Sequence, residues 1–206
     1  MNISEKHFEK QKKILETAYS VFKEKSVGCT AVDDVVKAAG IARGTFYLYF
    51  KDKSDLLEHM ILFKSTEAMK QLLLEGEKEI RSSGLSLKES MKLYIDKYID
   101  FLAGHKDVLA VLEKNIASCL RMYPDFYDSE AKELFERITS DFTEKGFSPA
   151  TVHKMIYIIF DMVGSVCSDA LLHSKPFSLD EIREDVTGAA LSILKFEADK
   201  IGADIG

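Results

Sequence analysis

The chain has 206 residues, of which 46% are hydrophobic and 30% are charged, with three prolines and a net charge of −6. This composition excludes a disordered chain and is typical of one folded domain or of two closely packed ones. The N-terminus has no apolar signal segment, and Asp161 and Asp169 interrupt the most apolar run, so we expect a cytoplasmic protein without a membrane partner.

The N-terminal part of the chain is predicted to begin with two helices. Apolar residues at three- and four-residue spacing predict an amphipathic helix over residues 5–25. Thr30 stands where an N-cap is expected for the second helix, with Asp33 three residues later as a shortened capping box. Gly40 supplies the left-handed residue that ends this helix.

The rest of the chain is also predicted to be helical. A third short helix is expected over residues 42–48, and Asp52 or Ser54 can cap a fourth. No run shows sustained apolar-polar alternation, so we predict an all-α fold of about nine helices. The later breaks between helices are expected at Ser82-Ser83-Gly84, at Ser148-Pro149 and over residues 175–178.

Charge is distributed unevenly along the chain. Residues 1–53 carry ten Lys/Arg and seven Asp/Glu, a net charge of +3, whereas residues 54–206 carry 18 and 27, a net charge of −9. The asymmetry indicates a small anion-binding head on an acidic body. We therefore predict a helix-turn-helix domain over residues 1–53 and a larger helical domain over residues 54–206.

Two helices joined by a tight turn at Gly40 form a helix-turn-helix, whose second helix enters the major groove of DNA. In that second helix, Arg43 can donate two hydrogen bonds to guanine, and Gly44 lets the backbone approach the DNA closely. Thr45 offers both a hydroxyl and a methyl group. Tyr47, Tyr49 and Lys53 follow where they can bond phosphate oxygens, whereas Phe46 and Phe50 are predicted to pack inward.

The run from Thr30 to Leu57 resembles the DNA-binding domain of TetR-family transcriptional regulators. It matches the family pattern Gly-x-x-x-Gly-Thr-x-Tyr-x-Tyr/His-Phe-x-x-Lys-x-x-Leu from Gly40 to Leu56. The resemblance implies a homodimer that represses transcription, binds a palindromic double-stranded operator and leaves it when a small molecule occupies the C-terminal domain. It also implies base contacts at Arg43, Gly44 and Thr45, and phosphate contacts at Thr30, Tyr47, Tyr49 and Lys53.

Two positions in the recognition helix, the helix that would enter the major groove, depart from the family pattern. Ala42 stands where the family usually has Ser or another capping residue, which removes a cap worth about 1 kcal/mol. Leu48 lies at a variable position, where it either meets a thymine methyl group or simply fills space.

The body contains two helical segments whose apolar residues could wall a ligand pocket. The alternative interpretation is ordinary core, because every helical bundle shows apolar residues at this spacing. The candidate pocket residues are Met91, Tyr94, Tyr98, Phe101, Asn115, Cys119, Met122, Phe126 and Tyr127.

The predicted helix over residues 151–173 is apolar around most of its circumference, so it must be covered on several sides, and the last predicted helix, residues 179–196, brings further apolar residues. In the TetR family the corresponding helices pair with their symmetry mates in a four-helix interface, and the composition here agrees. The candidate interface residues are Ile156, Phe160, Gly164, Cys167, Leu171, Ile182, Val186, Ala190 and Ile193.

No catalytic or metal site is predicted. The three cysteines, Cys29, Cys119 and Cys167, are widely spaced and are read as small buried hydrophobes, and the histidines lack metal-ligand spacing. We therefore expect a regulator without a cofactor rather than an enzyme. The alternatives are a DNA-binding regulator or activator that needs no ligand, and an all-helical carrier or enzyme that shares the pocket.

Overall fold

The computed structural model describes residues 3–106, 109 and 129–206. These residues form eight helices and contain no strand, which confirms the all-α prediction. In chain order the helices are α1 (Ile3–Lys25), α2 (Val32–Ala39), α3 (Arg43–Tyr47), α4 (Lys53–Ser83), α5 (Leu87–Gly104), α6 (Ser129–Thr143), α7 (Pro149–His173) and α8 (Leu179–Ile201).

The chain divides into two compact units, the head (Met1–Ser65) and the body (Thr66–Gly206). The domain boundary predicted at residues 53/54 coincides with the first residue of α4. The compact head extends further along α4, because Leu56, Met60 and Ile61 are buried in the head core.

Helix α2 begins one residue later than the sequence predicts. Its N-cap is Ala31, whose N–H donates to the Asp34 carboxylate over 2.9 Å. Lys25 also donates to Asp34, over 2.8 Å. The prediction that Thr30 is the N-cap is wrong. The Thr30 side chain is buried, and its hydroxyl donates to the carbonyl oxygen of Ser26 over 2.7 Å.

The turn between α2 and α3 has the geometry that the sequence predicts. Gly40 is left-handed, with φ at 64°, and its N–H donates to the carbonyl oxygen of Lys37. The N–H of Ile41 donates to the carbonyl oxygen of Val36 over 3.1 Å. This double closure is a Schellman motif, which satisfies the last carbonyls of α2 and redirects the chain into α3.

Helix α4 is capped by Asp52, one of the two predicted residues. The Asp52 carboxylate accepts from the N–H of Asp55 over 2.9 Å, and the Asp55 carboxylate accepts from the N–H of Lys51 over 2.7 Å. The two carboxylates therefore satisfy orphan N–H groups reciprocally and fix the residue at which α4 begins.

In the body, helix α7 packs against α5 and α8. By length and composition α7 could cross a membrane, but nearly half of its most apolar stretch is buried inside the body. Met155, Ile159 and Val163 have no exposed surface. This burial is what a core helix of a bundle shows.

Close packing and an ion-pair cluster join α4 to α5 and α6 within the body. A methyl group at Gly76 of α4 would overlap the ring of Tyr94 of α5. Next to it, Arg137 of α6 donates to both carboxylate oxygens of Glu77, over 2.7 and 3.0 Å, and Arg81 donates over 3.0 Å. The two guanidinium groups lower the pKa of Glu77, with Arg137 contributing most.

Candidate nucleic-acid interface

Helix α3 is short and depends on packing as well as on its backbone hydrogen bonds. It has five residues, and although the N–H groups of Thr45 and Phe46 donate to the carbonyl oxygen of Ala42, this N-cap residue makes no side-chain cap hydrogen bond. Phe46 and Phe50 are fully buried, which confirms that they pack inward. Their rings lie 5.6 Å apart, so two adjacent aromatic anchors fix a helix too short to be stable alone.

The side of α3 opposite Phe46 faces solvent. Tyr47 is 49% exposed and Leu48 is 77% exposed, and Arg43 and Gly44 are exposed as well. Thr45 is half-buried. The exposure of Leu48 argues against a space-filling role within the head.

Arg43 has an acidic neighbour on α2 that sequence reasoning missed. Its Nη1 lies 3.3 Å from an oxygen of Asp33, and both side chains are more than half exposed. A hydrogen bond with Tyr47 and the charge of Asp33 raise the pKa of Arg43. The guanidinium therefore lies at the solvent face of the turn, between α2 and α3, with Asp33 and Tyr47 as its neighbours.

The other predicted phosphate contacts have different surroundings. Lys53 donates to the carbonyl oxygens of Val27 and Thr30, each over 3.0 Å. Tyr49 is half-buried, and its ring centroid lies 4.4 Å from that of His7 on α1. The structure therefore brings Arg43, Tyr47 and Tyr49 to one part of the head and gives Lys53 two partners inside the protein.

Of the predicted pocket residues, four lie among the described residues. Met91, Tyr94 and Tyr98 are buried in the body core, and Phe101 is half-buried and stacks on His105. Burial also raises the pKa of the Tyr94 hydroxyl. The other five residues, Asn115, Cys119, Met122, Phe126 and Tyr127, lie outside the described residues.

The predicted interface residues divide into two groups. Those on the inner side of their helices are buried within this single chain: Phe160, Gly164, Cys167, Val186 and Ala190. Those on the flanks are half-buried: Ile156, Leu171, Ile182 and Ile193. The exposed large apolar side chains of α7 and α8 are others, which sequence reasoning missed: Tyr157, Ile158, Val166, Phe196 and Ile201.

The cysteine predictions have mixed outcomes. Cys167 is fully buried as expected, and burial raises its pKa to about 11. Cys29 is exposed, so its assignment as a buried hydrophobe is wrong; it follows Gly28 in the connection between α1 and α2, which runs over the surface. Cys119 lies outside the described residues. Within the described residues, no group of three His, Cys, Asp or Glu side chains could hold a metal ion.

The fold and the exposed face of α3 define a helix-turn-helix DNA-binding protein. Residues 14–60 match the family model of bacterial regulatory proteins of the tetR family. The fatty acid metabolism regulator protein of Bacillus subtilis is 31% identical over 163 residues, which are 74% of this chain and 80% of that protein. The chain belongs to the TetR family of transcriptional regulators.

Further comparisons agree with this assignment. An HTH-type transcriptional regulator of Bacillus subtilis, YfiR, is 27% identical over 98% of this chain and 97% of its own length. The solved structure of the fatty acid degradation regulator FadR from Bacillus halodurans has a TM-score of 0.52 at 18% identity, over 88% of this chain and 94% of that one. A TetR-family regulator from Marinobacter aquaeolei has a TM-score of 0.53 at 18% identity, over 93% and 98%. The two solved structures agree with this chain in fold, and the family model and the two Bacillus subtilis relatives confirm the prediction of a regulator rather than an enzyme.

Proposed function

We propose that this regulator is a cytoplasmic repressor that binds a palindromic operator as a homodimer and is released by a small apolar ligand. The observation that carries the DNA-binding part is the arrangement of α3. Phe46 anchors the helix from inside, while Arg43, Gly44, Tyr47 and Leu48 face outward. A helix that presents an arginine, a glycine and an apolar side chain to solvent is suited to reading base edges in the major groove.

Six residues of the head have a proposed partner on the DNA. Arg43 donates to guanine O6 and N7, Thr45 contacts a base edge, and Leu48 meets a thymine methyl group. Tyr47 and Tyr49 donate hydrogen bonds to phosphates, and the third N–H of the Lys53 ammonium group donates to a further phosphate. Thr30 is left out of this interface, because its hydroxyl is buried and bonded to Ser26.

The proposed dimer uses the outer faces of α7 and α8. Tyr157, Ile158 and Val166 are exposed on α7, and Phe196 is exposed on α8. Pairing these faces with those of a second copy would remove the apolar surface from water and give the two-fold symmetry that a palindromic operator requires.

The proposed effector site includes α5 of the body. Met91, Tyr94, Tyr98 and Phe101 supply apolar and aromatic surface there. The relative that is 31% identical is named a fatty acid metabolism regulator, which supports long-chain acyl compounds as the first class to test. An effector that lowers operator affinity tenfold must itself bind tenfold more weakly to the DNA complex, a coupling of about 1.4 kcal/mol.

A binding titration tests the proposal. Fragments from the region upstream of the protein's own gene are titrated at several salt concentrations, beside a scrambled duplex of equal length. We expect tight, salt-dependent binding to a fragment with an inverted repeat, and release when palmitate or palmitoyl-CoA is added. Equal affinity for the cognate and scrambled duplexes would overturn the operator, and operator binding without release by any acyl probe would favour the ligand-independent alternative.

A further inference from the structure

Helix α1 and the helix-turn-helix enclose a cleft of about 620 Å³ within the head. The turn residues Gly40 and Ala42 line it, and so does Thr45 of the recognition helix. Lys10 and Lys13 of α1 line it as well, and both are exposed. The cleft therefore joins two lysines of α1 to the start of the helix proposed to read bases.

A second contact places the same part of α1 beside the proposed interface. The ring centroid of His7 lies 4.4 Å from that of Tyr49, a proposed phosphate contact. His7, Lys10 and Lys13 follow one another at three-residue spacing, so they lie along one flank of the helix. Two separate observations, the shared cleft and the ring contact, thus bring this flank next to Thr45 and Tyr49.

We propose that Lys10 and Lys13 bind phosphates of the operator backbone, extending the DNA interface from α3 onto α1. The inference rests on the proposed placement of α3 in the major groove. Lys10 and Lys13 are separated by about 4.5 Å of rise along α1, so their long side chains can reach two neighbouring phosphates of one DNA strand. Lysine ammonium groups suit this role because they are point charges that recognise phosphate without reading sequence.

One acidic residue shares the cleft. Glu9 also lines it, and its carboxylate would face the same phosphates as Lys10 and Lys13. Like charge opposes binding, so Glu9 weakens the electrostatic attraction that the two lysines provide. A variant without this carboxylate should therefore bind DNA more tightly, whereas variants without the lysines should bind it more weakly.

The test is the salt dependence of operator binding by the full chain. In the double variant Lys10→Ala/Lys13→Ala, the slope of log K against log salt should fall by about 1.8 per protomer, or about 0.9 for each lost phosphate contact. Affinity for cognate and scrambled duplexes should fall by the same factor, because phosphates carry no sequence information. Glu9→Gln should raise affinity for both duplexes.

The matched control is Lys23→Ala, which removes one positive charge from α1 about 15 Å further along the helix than Lys13. It should leave the slope unchanged. If the double variant and Glu9→Gln both keep the wild-type slope and affinity while Arg43→Ala loses operator preference, the α1 contacts are wrong and the proposed function stands. If Arg43→Ala keeps its operator preference, the placement of α3 itself is wrong. A thermal melt of each variant checks folding, and Lys10→Gln/Lys13→Gln replaces the alanine pair if that pair unfolds.

Discussion

Lys53 donates a hydrogen bond of 3.0 Å to the carbonyl oxygen of Thr30, 23 residues earlier in the chain. A second bond of 3.0 Å runs to the carbonyl oxygen of Val27. Both carbonyls belong to the connection between α1 and α2, whereas Lys53 is the first residue of α4. One ammonium group therefore links this connection to the start of α4 through two hydrogen bonds, and its third N–H can donate to a further acceptor.

Lys53→Met tests both roles of that ammonium group. The variant keeps the apolar stem but removes all three donors, so we expect the free energy of unfolding to fall by about 1–3 kcal/mol. The salt slope of operator binding should fall by about one. Chemical denaturation and salt titration measure the two effects, and Lys51→Met, at an exposed neighbouring position, is the control. Unchanged stability would contradict the linking role.

Arg43→Ala should weaken operator binding roughly five- to 150-fold and relax the preference at one base step. The reason is that a guanidinium bonded to guanine discriminates between bases, which a phosphate contact does not. A panel of operators with single base changes provides the measurement. Equal losses on cognate and random DNA would show that Arg43 contacts phosphate instead.

Asp33→Asn should raise affinity for random DNA and, by a larger factor, for cognate DNA, because Arg43 discriminates between bases. Asp33 lies 3.3 Å from Arg43, so it competes with DNA for the guanidinium and places a negative charge beside the phosphates. Fluorescence anisotropy at low and high salt measures the gain, which should shrink as salt screens the charge. Asp185→Asn, which makes the same charge change in the body, should have no such effect.

Gly76→Ala should destabilise the body by about 1–3 kcal/mol. The added methyl group would overlap the Tyr94 ring, so α4 and α5 would have to move apart or the ring would have to leave its site. Urea denaturation measures the loss. Gly104→Ala is the matched control, because nothing lies within 4 Å of a methyl group there; a control variant as unstable as Gly76→Ala would contradict the overlap.

The Glu77 cluster predicts a pH dependence of stability. Because Arg137 and Arg81 lower the pKa of Glu77 from about 4.5, its contribution is fully present above that pH. It is lost as the pH falls through the lower pKa of the folded state. Glu77→Gln should therefore be less stable than the wild type at pH 7, by about 1–3 kcal/mol, with the difference shrinking below pH 4.5.

Urea denaturation at pH 7, 4.5 and 3.5 measures that difference. Glu75→Gln is the control, because Glu75 is exposed and accepts only a 3.1 Å bond from Gln71 among the contacts described. A stability difference between Glu77→Gln and wild type that stayed constant over this pH range would contradict the assignment.

Ile158→Asp should convert the proposed dimer to a monomer of 23.2 kDa. A charge in the centre of a paired apolar face is costly to bury, and the exposed position lets the single chain remain folded. Sedimentation measures the mass. Phe177→Asp, at an equally apolar exposed site outside α7 and α8, should leave the mass unchanged, and a wild-type protein that sediments as a monomer would refute the dimer.

The helices could be predicted from sequence wherever the signal is local. Apolar spacing is enough for α1, and Gly40 ends α2 as expected, because both signals depend on neighbours within one or two turns. The start of α2 was misplaced because Asp33 and Asp34 are equally good capping residues by sequence. In the folded head Asp34 accepts from the N–H of Ala31 and from Lys25, nine residues away, whereas the hydroxyl of Thr30 donates to Ser26.

The candidate surfaces depend on tertiary packing, which sequence spacing does not specify. Helix α7 is apolar on nearly every side, so its composition shows that it must be covered but not which side its own chain covers. Residues such as Cys167 therefore entered the predicted interface although they are buried in the core, and Ile158 was omitted. The two roles of Lys53 likewise depend on a contact over 23 residues.

In α3 the residue that holds the helix in the head and the residues proposed to contact DNA are different, which affects how such a regulator can acquire a new operator sequence. Phe46 anchors the helix in the core of the head and makes a T-shaped ring contact with Tyr47, whereas Arg43 and Leu48 are exposed. New side chains at positions 43 and 48 can therefore be tried without loss of the fold. A lineage could acquire a new operator, or a designer could select one from a small library at these two positions, while the head keeps its stability.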